Sequence, residues 1–283
     1  MILDNILVEE STAAKVAFVR SAENMNLSNL TYEVADGVAL IGLNRPNKRN
    51  AINDEMIDEL AEALAAAATA AKVGVLYGHG EHFSAGLDLA EHAKRTPFEG
   101  VMNSRKWHRI FDEIERGTIP WVAALHGAVV GGGLELAASA QIRIADPNAL
   151  FALPEGQRGI FVGGGGSVRI ARLMTASRMA DLMLTGRTLS AAKAEQLNLI
   201  QYVTKQGSVL EEAKALAAKV AKNAPLSNFA IIQALPRIQD LAHGDGLFFE
   251  ALMASFTQTS PDAAERLHTF LDKRAERLAK PRD

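Results

Sequence analysis

Between residues 30 and 174, short apolar runs alternate with longer stretches of helical period, and no other feature restricts the fold as much. A short apolar strand needs helices to cover its sheet, so the alternation argues for an α/β architecture. TYEV passes through Ala35-Asp36-Gly37 into VALIGL, which reads as two strands joined by a tight Asp-Gly turn. The second strand ends at Asn44-Arg45-Pro46, where proline stops pairing. Asn53 can cap a helix running to about Ala71. Met56, Ile57, Leu60 and Leu64 share one face of it, and Asp54, Glu55, Asp58, Glu59 and Glu62 occupy the rest. Strands follow at Val73–Tyr77, Trp121–Leu125, Ile142–Ala145 and Leu150–Leu153. Helices are expected around Val101–Arg116, from Gly132 to about Ala140, and over Ser167–Met174.

Beyond Ala191 the pattern is largely helical: Ala191–Leu197, Gly207–Lys222, Leu226–Ala234, and Gly246 onward. A last helix starts at Ser260-Pro261, with Ala264, Leu267, Leu271 and Leu278 as its stripe. Residues 1–26 have no clear period and read as a weakly ordered extension. A core over 27–224 and a helical region over 225–283 meet at Asn223-Ala224-Pro225. A balanced charge, net -3, gives no general pull toward nucleic acid or an anionic membrane. The absence of cysteine excludes disulfides, thiolate metal sites and cysteine nucleophiles. No apolar run is long enough to span a bilayer and no signal peptide is recognisable, so a cytoplasmic or organelle-matrix protein is the default.

Several familiar sites are missing. There is no GK[ST] for a P-loop, no GxGxxG, no GxSxG and no HExxH. His79, His82, His92, Asp88 and Glu91 lack the spacing of a helical ligand pair, so no metal is expected. What stands out is glycine: 10 of the 22 fall between Gly127 and Gly166. The segments His82–Leu89 and Val130–Glu135 each follow a strand and put small residues where a ligand could touch backbone. Free N–H groups at such turns can bind an anion or a developing oxyanion. Glu135, in an apolar setting at a helix start, and Glu155, at a strand end, are each unremarkable alone. In one pocket they could hold a water and divide acid and base roles. Spacing does not establish that they meet.

Six ordered segments over residues 30–274 resemble the crotonase (enoyl-CoA hydratase/isomerase) superfamily. They are VALIGLNRPNKRNAI (38–52), HFSAGLDL (82–89), HGAVVGGGLELAASAQIRIAD (126–146), FALPEGQRGIFVGGGGSVRIARL (151–173), LTGRTLSAAKAEQLNLI (184–200) and FLDKR (270–274). The resemblance implies a spiral of ββα repeats and a helical C-terminal region that packs across subunits into trimers or hexamers. It implies a coenzyme A thioester as substrate, with no separate cofactor. The backbone N–H groups of Leu87 and Gly132 would form the oxyanion hole. Glu135 and Glu155 match both glutamates of the family's hydratases, the first as base for water and the second as acid toward the α-carbon.

Arg45, Lys48, Arg49 and Ala85 fall where relatives contact coenzyme A, and Lys273 and Arg274 where a neighbouring subunit's cofactor lies. A lysine that many hydratases place two residues after the Asp88 position is absent here, where Asp88-Leu89 is followed by Ala90. Gly131, Gly163 and Phe161 are candidates for the substrate pocket. Phe161, Trp107 and Phe111 read first as core and second as acyl-pocket walls, and Gly163–Gly166 first as a tight connection into a helix. LPEGQRGIFVGGGG further resembles the methylthioacryloyl-CoA hydratases. Thioester hydrolysis, double-bond isomerisation and lyase cleavage are the alternative reactions. Some relatives bind RNA through a basic first helix, but here that helix carries five acids before Lys72, which argues against it.

Overall fold

The computed structural model describes residues 25–272. Strands β1 (Leu30–Ala35) and β2 (Val38–Leu43) form the expected antiparallel hairpin. Asp36 and Gly37 both have positive φ, 51° and 76°, as a tight two-residue turn requires. Helix α1 (Asp54–Ala70) starts at Asn53, whose side chain accepts the Met56 N–H. Strand β3 (Val73–Gly78), the short helix α2 (Leu89–His92) and the long helix α3 (Pro97–Arg116) follow. Helix α3 begins one turn before Val101, because Thr96 and Glu99 form a reciprocal capping box and Pro97 sets the first turn.

Next come β4 (Trp121–Leu125), β5 (Ala128–Val130), α4 (Gly132–Ser139), β6 (Ile142–Ala145), β7 (Leu150–Ala152) and α5 (Gly166–Met174). The remaining elements are α6 (Ala176–Thr185), β8 (Leu189–Ser190), α7 (Ala191–Gln196), β9 (Tyr202–Val203), α8 (Val209–Ala221), α9 (Pro225–Ile238), α10 (His243–Thr257) and α11 (Pro261–Leu271). Leu278, assigned to the last helical stripe, lies outside the described residues. No helix of the described residues is long and apolar enough to cross a membrane.

The large sheet has the order β1-β2-β3-β4-β6-β9 and is parallel from β2 onward. A second layer stacks beside it. Ile52 bridges Leu87, Ser84 bridges Val129, and β5 pairs in parallel with β7, which pairs antiparallel with β8. Each turn of the chain therefore lays one strand in the large sheet and one short stretch in the second layer, then returns through a helix. The turns are β2–Ile52–α1, β3–Ser84–α3, β4–β5–α4 and β6–β7–α5, a spiral of ββα repeats. The main core packs Met56, Ile57 and Leu60 of α1 and Phe111 and Ile114 of α3 against Ile41, Leu76 and Leu125 of the sheet. Val38, Val75, Val122 and Ile144 face the opposite way, onto Val209, Ala213 and Ala217 of α8.

One residue of α1 departs from the expected polar stripe. Glu59 is buried, 7% exposed, and its carboxylate accepts from Ser28 N, Asn29 N and Asn29 Nδ2 at 2.8–3.2 Å. Charge is tolerated there because backbone and amide donors replace water.

Candidate active site

The second layer brings two distant loops into contact. Ser84 N donates to Ala128 O and Val130 N to Ser84 O, which ties residues 84–88 beside β5. Ser84 Oγ donates to Asn50 O and accepts the Gly86 N–H. Asn50 is itself fixed by its side chain, which accepts from Arg45 N and donates to His79 O and His82 O. Gly86 has φ +92°, and a Cβ there would lie 2.6 Å from Val130 O and 3.1 Å from Gly132 N. Only glycine fits that approach. A Cβ on Gly132 would come within 3.3 Å of Leu87 N, so the two backbone nitrogens stand side by side. Around them, the N–H groups of Ala85, Gly86, Asp88 and Gly131 are engaged, to Arg49 O, Ser84 Oγ, Ile52 O and Ala152 O respectively. Gly132 opens α4, so its N–H has no partner within the helix.

Glu135 and Glu155 both line a cavity of about 760 Å³, together with Leu87, Gly132, Phe161 and Gly163. Both are buried, 3% and 5% exposed. The Glu135 Oε1 accepts Gly164 N and Gly166 N, each at 2.8 Å. Burial pushes the Glu135 carboxyl up, while the N–H groups of Gly166, Gly164 and Gly163, and then the charge of Arg169, pull it back. The Gly163–Gly166 run does connect into α5, as expected, and it also grips Glu135. A Cβ on Gly166 would sit 2.8 Å from Glu135 Cγ, and one on Gly164 would lie 3.0 Å from the Trp107 ring. Arg169 locks the run from behind. Its Nη1 donates to Gly164 O, while Nε and Nη2 reach Glu115 and Asp112 on α3 at 2.6 Å.

Glu155 lies opposite in hydrogen bonding. A Cβ on Gly131 would stand 2.9 Å from its Oε1, and its Oε2 is buried without a partner. Burial first, and the nearby charge of Glu135 after it, push this carboxyl up to about 7. Trp107 and Phe111 are buried and meet as a tilted ring pair with centroids 5.4 Å apart, with Trp107 also on the cavity wall. Phe161 is not core: it is 69% exposed at the cavity, because the turn after Glu155 carries it outward.

The expected coenzyme A contacts are spread wider. Arg45 Nη1 donates to Ala51 O and pairs with Asp88 at 3.2 Å. Lys48 and Arg49 are exposed on the single turn that follows. Lys273 and Arg274 lie outside the described residues. His79 and His82 serve the fold, bonding Thr31 and the Ala128 N–H. Arg169 and Arg95, on the site's rear and side walls, were not singled out by spacing, since each acts across elements far apart in sequence.

A ββα spiral holding paired backbone nitrogens beside two buried glutamates has the form expected of the crotonase superfamily. The sequence profile of the enoyl-CoA hydratase/isomerase family matches residues 33–280. The 2,3-dehydroadipyl-CoA hydratase of Escherichia coli K12 is 33% identical over 250 residues, covering 88% of this chain and 97% of that one. The short-chain-enoyl-CoA hydratase of Clostridium acetobutylicum is 30% identical over 253 residues, 88% and 97% of the two chains. The crystal structure of a putative enoyl-CoA hydratase from Rhodopseudomonas palustris CGA009 superposes with a TM-score of 0.85 at 48% identity, covering 88% and 96%. The chain belongs to the enoyl-CoA hydratase/isomerase family and is a hydratase of the crotonase superfamily.

Proposed function

We propose that this hydratase adds water across the double bond of a short-chain α,β-unsaturated acyl-CoA, with Glu135 as base and Glu155 as acid. The observation that carries the reading is the unequal hydrogen bonding of two buried carboxylates in one cavity. Glu135 accepts two backbone N–H groups, which favour its ionised form, whereas Glu155 Oε2 has no donor. A proton held by the pair therefore rests on Glu155. The thioester oxygen takes the N–H groups of Leu87 and Gly132, which stabilise the negative charge that builds on it. Glu135 removes a proton from water as the water oxygen bonds to the β-carbon, and Glu155 gives its proton to the α-carbon. One water is consumed, and solvent returns the proton from Glu135 to Glu155. Dehydration runs the same steps backward with the roles exchanged.

Coenzyme A arrives as part of the substrate, so no further cofactor is called for. Arg45, Lys48, Arg49, Ala85, Lys273 and Arg274 are the proposed contacts to it, and Gly131, Gly163 and Phe161 those to the acyl group. The enzyme is proposed to work in the cytoplasm as a trimer or a pair of trimers. Crotonyl-CoA is the test substrate, with loss of the enoyl absorbance measured beside release of free thiol. Hydration without thiol is expected. Thiol as the main product would replace the reading with a thioester hydrolase.

A further inference from the structure

Among the described residues, five buried side-chain atoms have no hydrogen-bond partner, and three belong to residues of the cavity wall: Arg95 Nη1, Trp107 Nε1 and Glu155 Oε2. The Glu155 oxygen is accounted for by proton transfer. Arg95 is not, and a buried N–H without an acceptor is costly enough to require a reason. Its side chain is 12% exposed, and Nη2 alone is engaged, with both oxygens of Asp54 at 2.5 Å. Asp54 is not part of the wall. The cavity also presents Arg105, His92, Asn103 and Ser104 on the same stretch of chain, whereas among the described residues its only acids are Glu135 and Glu155. Ile160, Phe161, Val162, Val101 and Trp107 supply apolar surface in the same cavity. An acyl pocket for a plain hydrocarbon chain gains nothing from a buried guanidinium, which an apolar ligand would leave unsatisfied.

We propose that Arg95 reads a carboxylate at the far end of the acyl chain, so that the substrate is the mono-CoA thioester of an unsaturated dicarboxylic acid. Methylenes run along the apolar wall, and the terminal carboxylate meets the Arg95 side chain there, with a turn of the guanidinium uncovering Nη1 to donate a charge-assisted hydrogen bond. Asp54 holds the guanidinium in place from outside, and Arg105 adds positive potential to the wall. The inference rests on the acyl-CoA reading of the cavity and goes beyond it in naming the acyl class.

Binding of saturated thioesters tests it without any turnover. Adipyl-CoA is compared with hexanoyl-CoA, and glutaryl-CoA with pentanoyl-CoA, by calorimetric titration of the full chain. In at least one pair the carboxylate-bearing thioester binds roughly tenfold tighter or more, the size expected of a hydrogen bond to a charged group. Arg95→Met brings that ratio to about one, and Arg95→Lys keeps part of it. Equal affinities in both pairs for the wild-type protein overturn the inference, and this arm needs no variant to fold. A ratio that survives Arg95→Met overturns it also, as does an equal loss for both members of a pair, which would assign Arg95 to the coenzyme A moiety. Because these thioesters cannot be hydrated, lack of preference leaves the proposed reaction standing. Failure to hydrate crotonyl-CoA, in turn, leaves the binding result standing.

Discussion

Glu155 sits where burial and the charge of Glu135 hold its carboxyl near 7, far above an ordinary glutamate. If its protonated form is the acid, kcat/KM for hydration falls as pH rises through about 7, approaching tenfold per unit beyond it. The same raised value makes the folded protein retain a proton that the unfolded chain releases. The stability Glu155 confers is thus complete below the ordinary carboxylate range and is lost as pH rises through about 7. Glu155→Gln removes that loss, so its melting temperature relative to wild type rises between about pH 5 and about pH 8. A flat rate profile across neutral pH would detach Glu155 from proton transfer. Both glutamates could be picked out in the sequence, because glycine triplets and a strand-ending proline stand next to them. Their unequal surroundings could not, since Gly164 and Gly166 reach Glu135 across about thirty residues.

The glycine run between Glu155 and α5 acts as a unit. Its N–H groups hold Glu135, and Arg169 holds the run by binding Gly164 O and two acids of α3. Arg169→Met is expected to lower kcat by up to about 10²-fold through misplacement of Glu135, with a much smaller change in KM. Losing the two short ion pairs of the buried Arg169 also lowers the melting temperature, although Glu115 keeps Arg116 at 3.8 Å. Arg169→Lys restores part of the melting temperature but not the loop contact, and steady-state kinetics beside thermal denaturation separates the two. Strands that are nearly continuous apolar runs, such as β2 and β4, are legible in the sequence because both of their faces are covered. Strand β5 was hidden because Ala128–Val130 runs straight into Gly131–Gly133 and reads as loop. Helix α6 is equally hard to read from the sequence, since it starts without a side-chain cap directly after α5. Glu59 looked solvent-facing because helical period alone does not reveal that Ser28 and Asn29 fold over it.

At the scale of the molecule, the spiral explains why the site is where it is: each repeat ends in a turn of the second layer, and two such turns meet at Leu87 and Gly132. Helix α10 has no such place in the core. Of its fifteen residues only Gly246 is buried, and Phe248, Leu252 and Phe256 form an exposed apolar stripe four residues apart. A stripe of this kind is covered by other copies in the proposed trimer or hexamer. Light scattering should give a mass that is a multiple of three times 30.3 kDa, and Phe248→Asp should shift it toward the single chain. A monomeric wild-type protein would refute the assembly.

The central claim is that Glu135 and Glu155 together carry hydration in one cavity. Its most direct test is turnover of crotonyl-CoA by Glu135→Gln and Glu155→Gln, each checked for folding and for binding of a saturated acyl-CoA. Each variant should bind the thioester and lose roughly 10²–10⁴-fold in kcat, the usual contribution of a positioned acid or base. Near-normal turnover by either folded variant would contradict the claim.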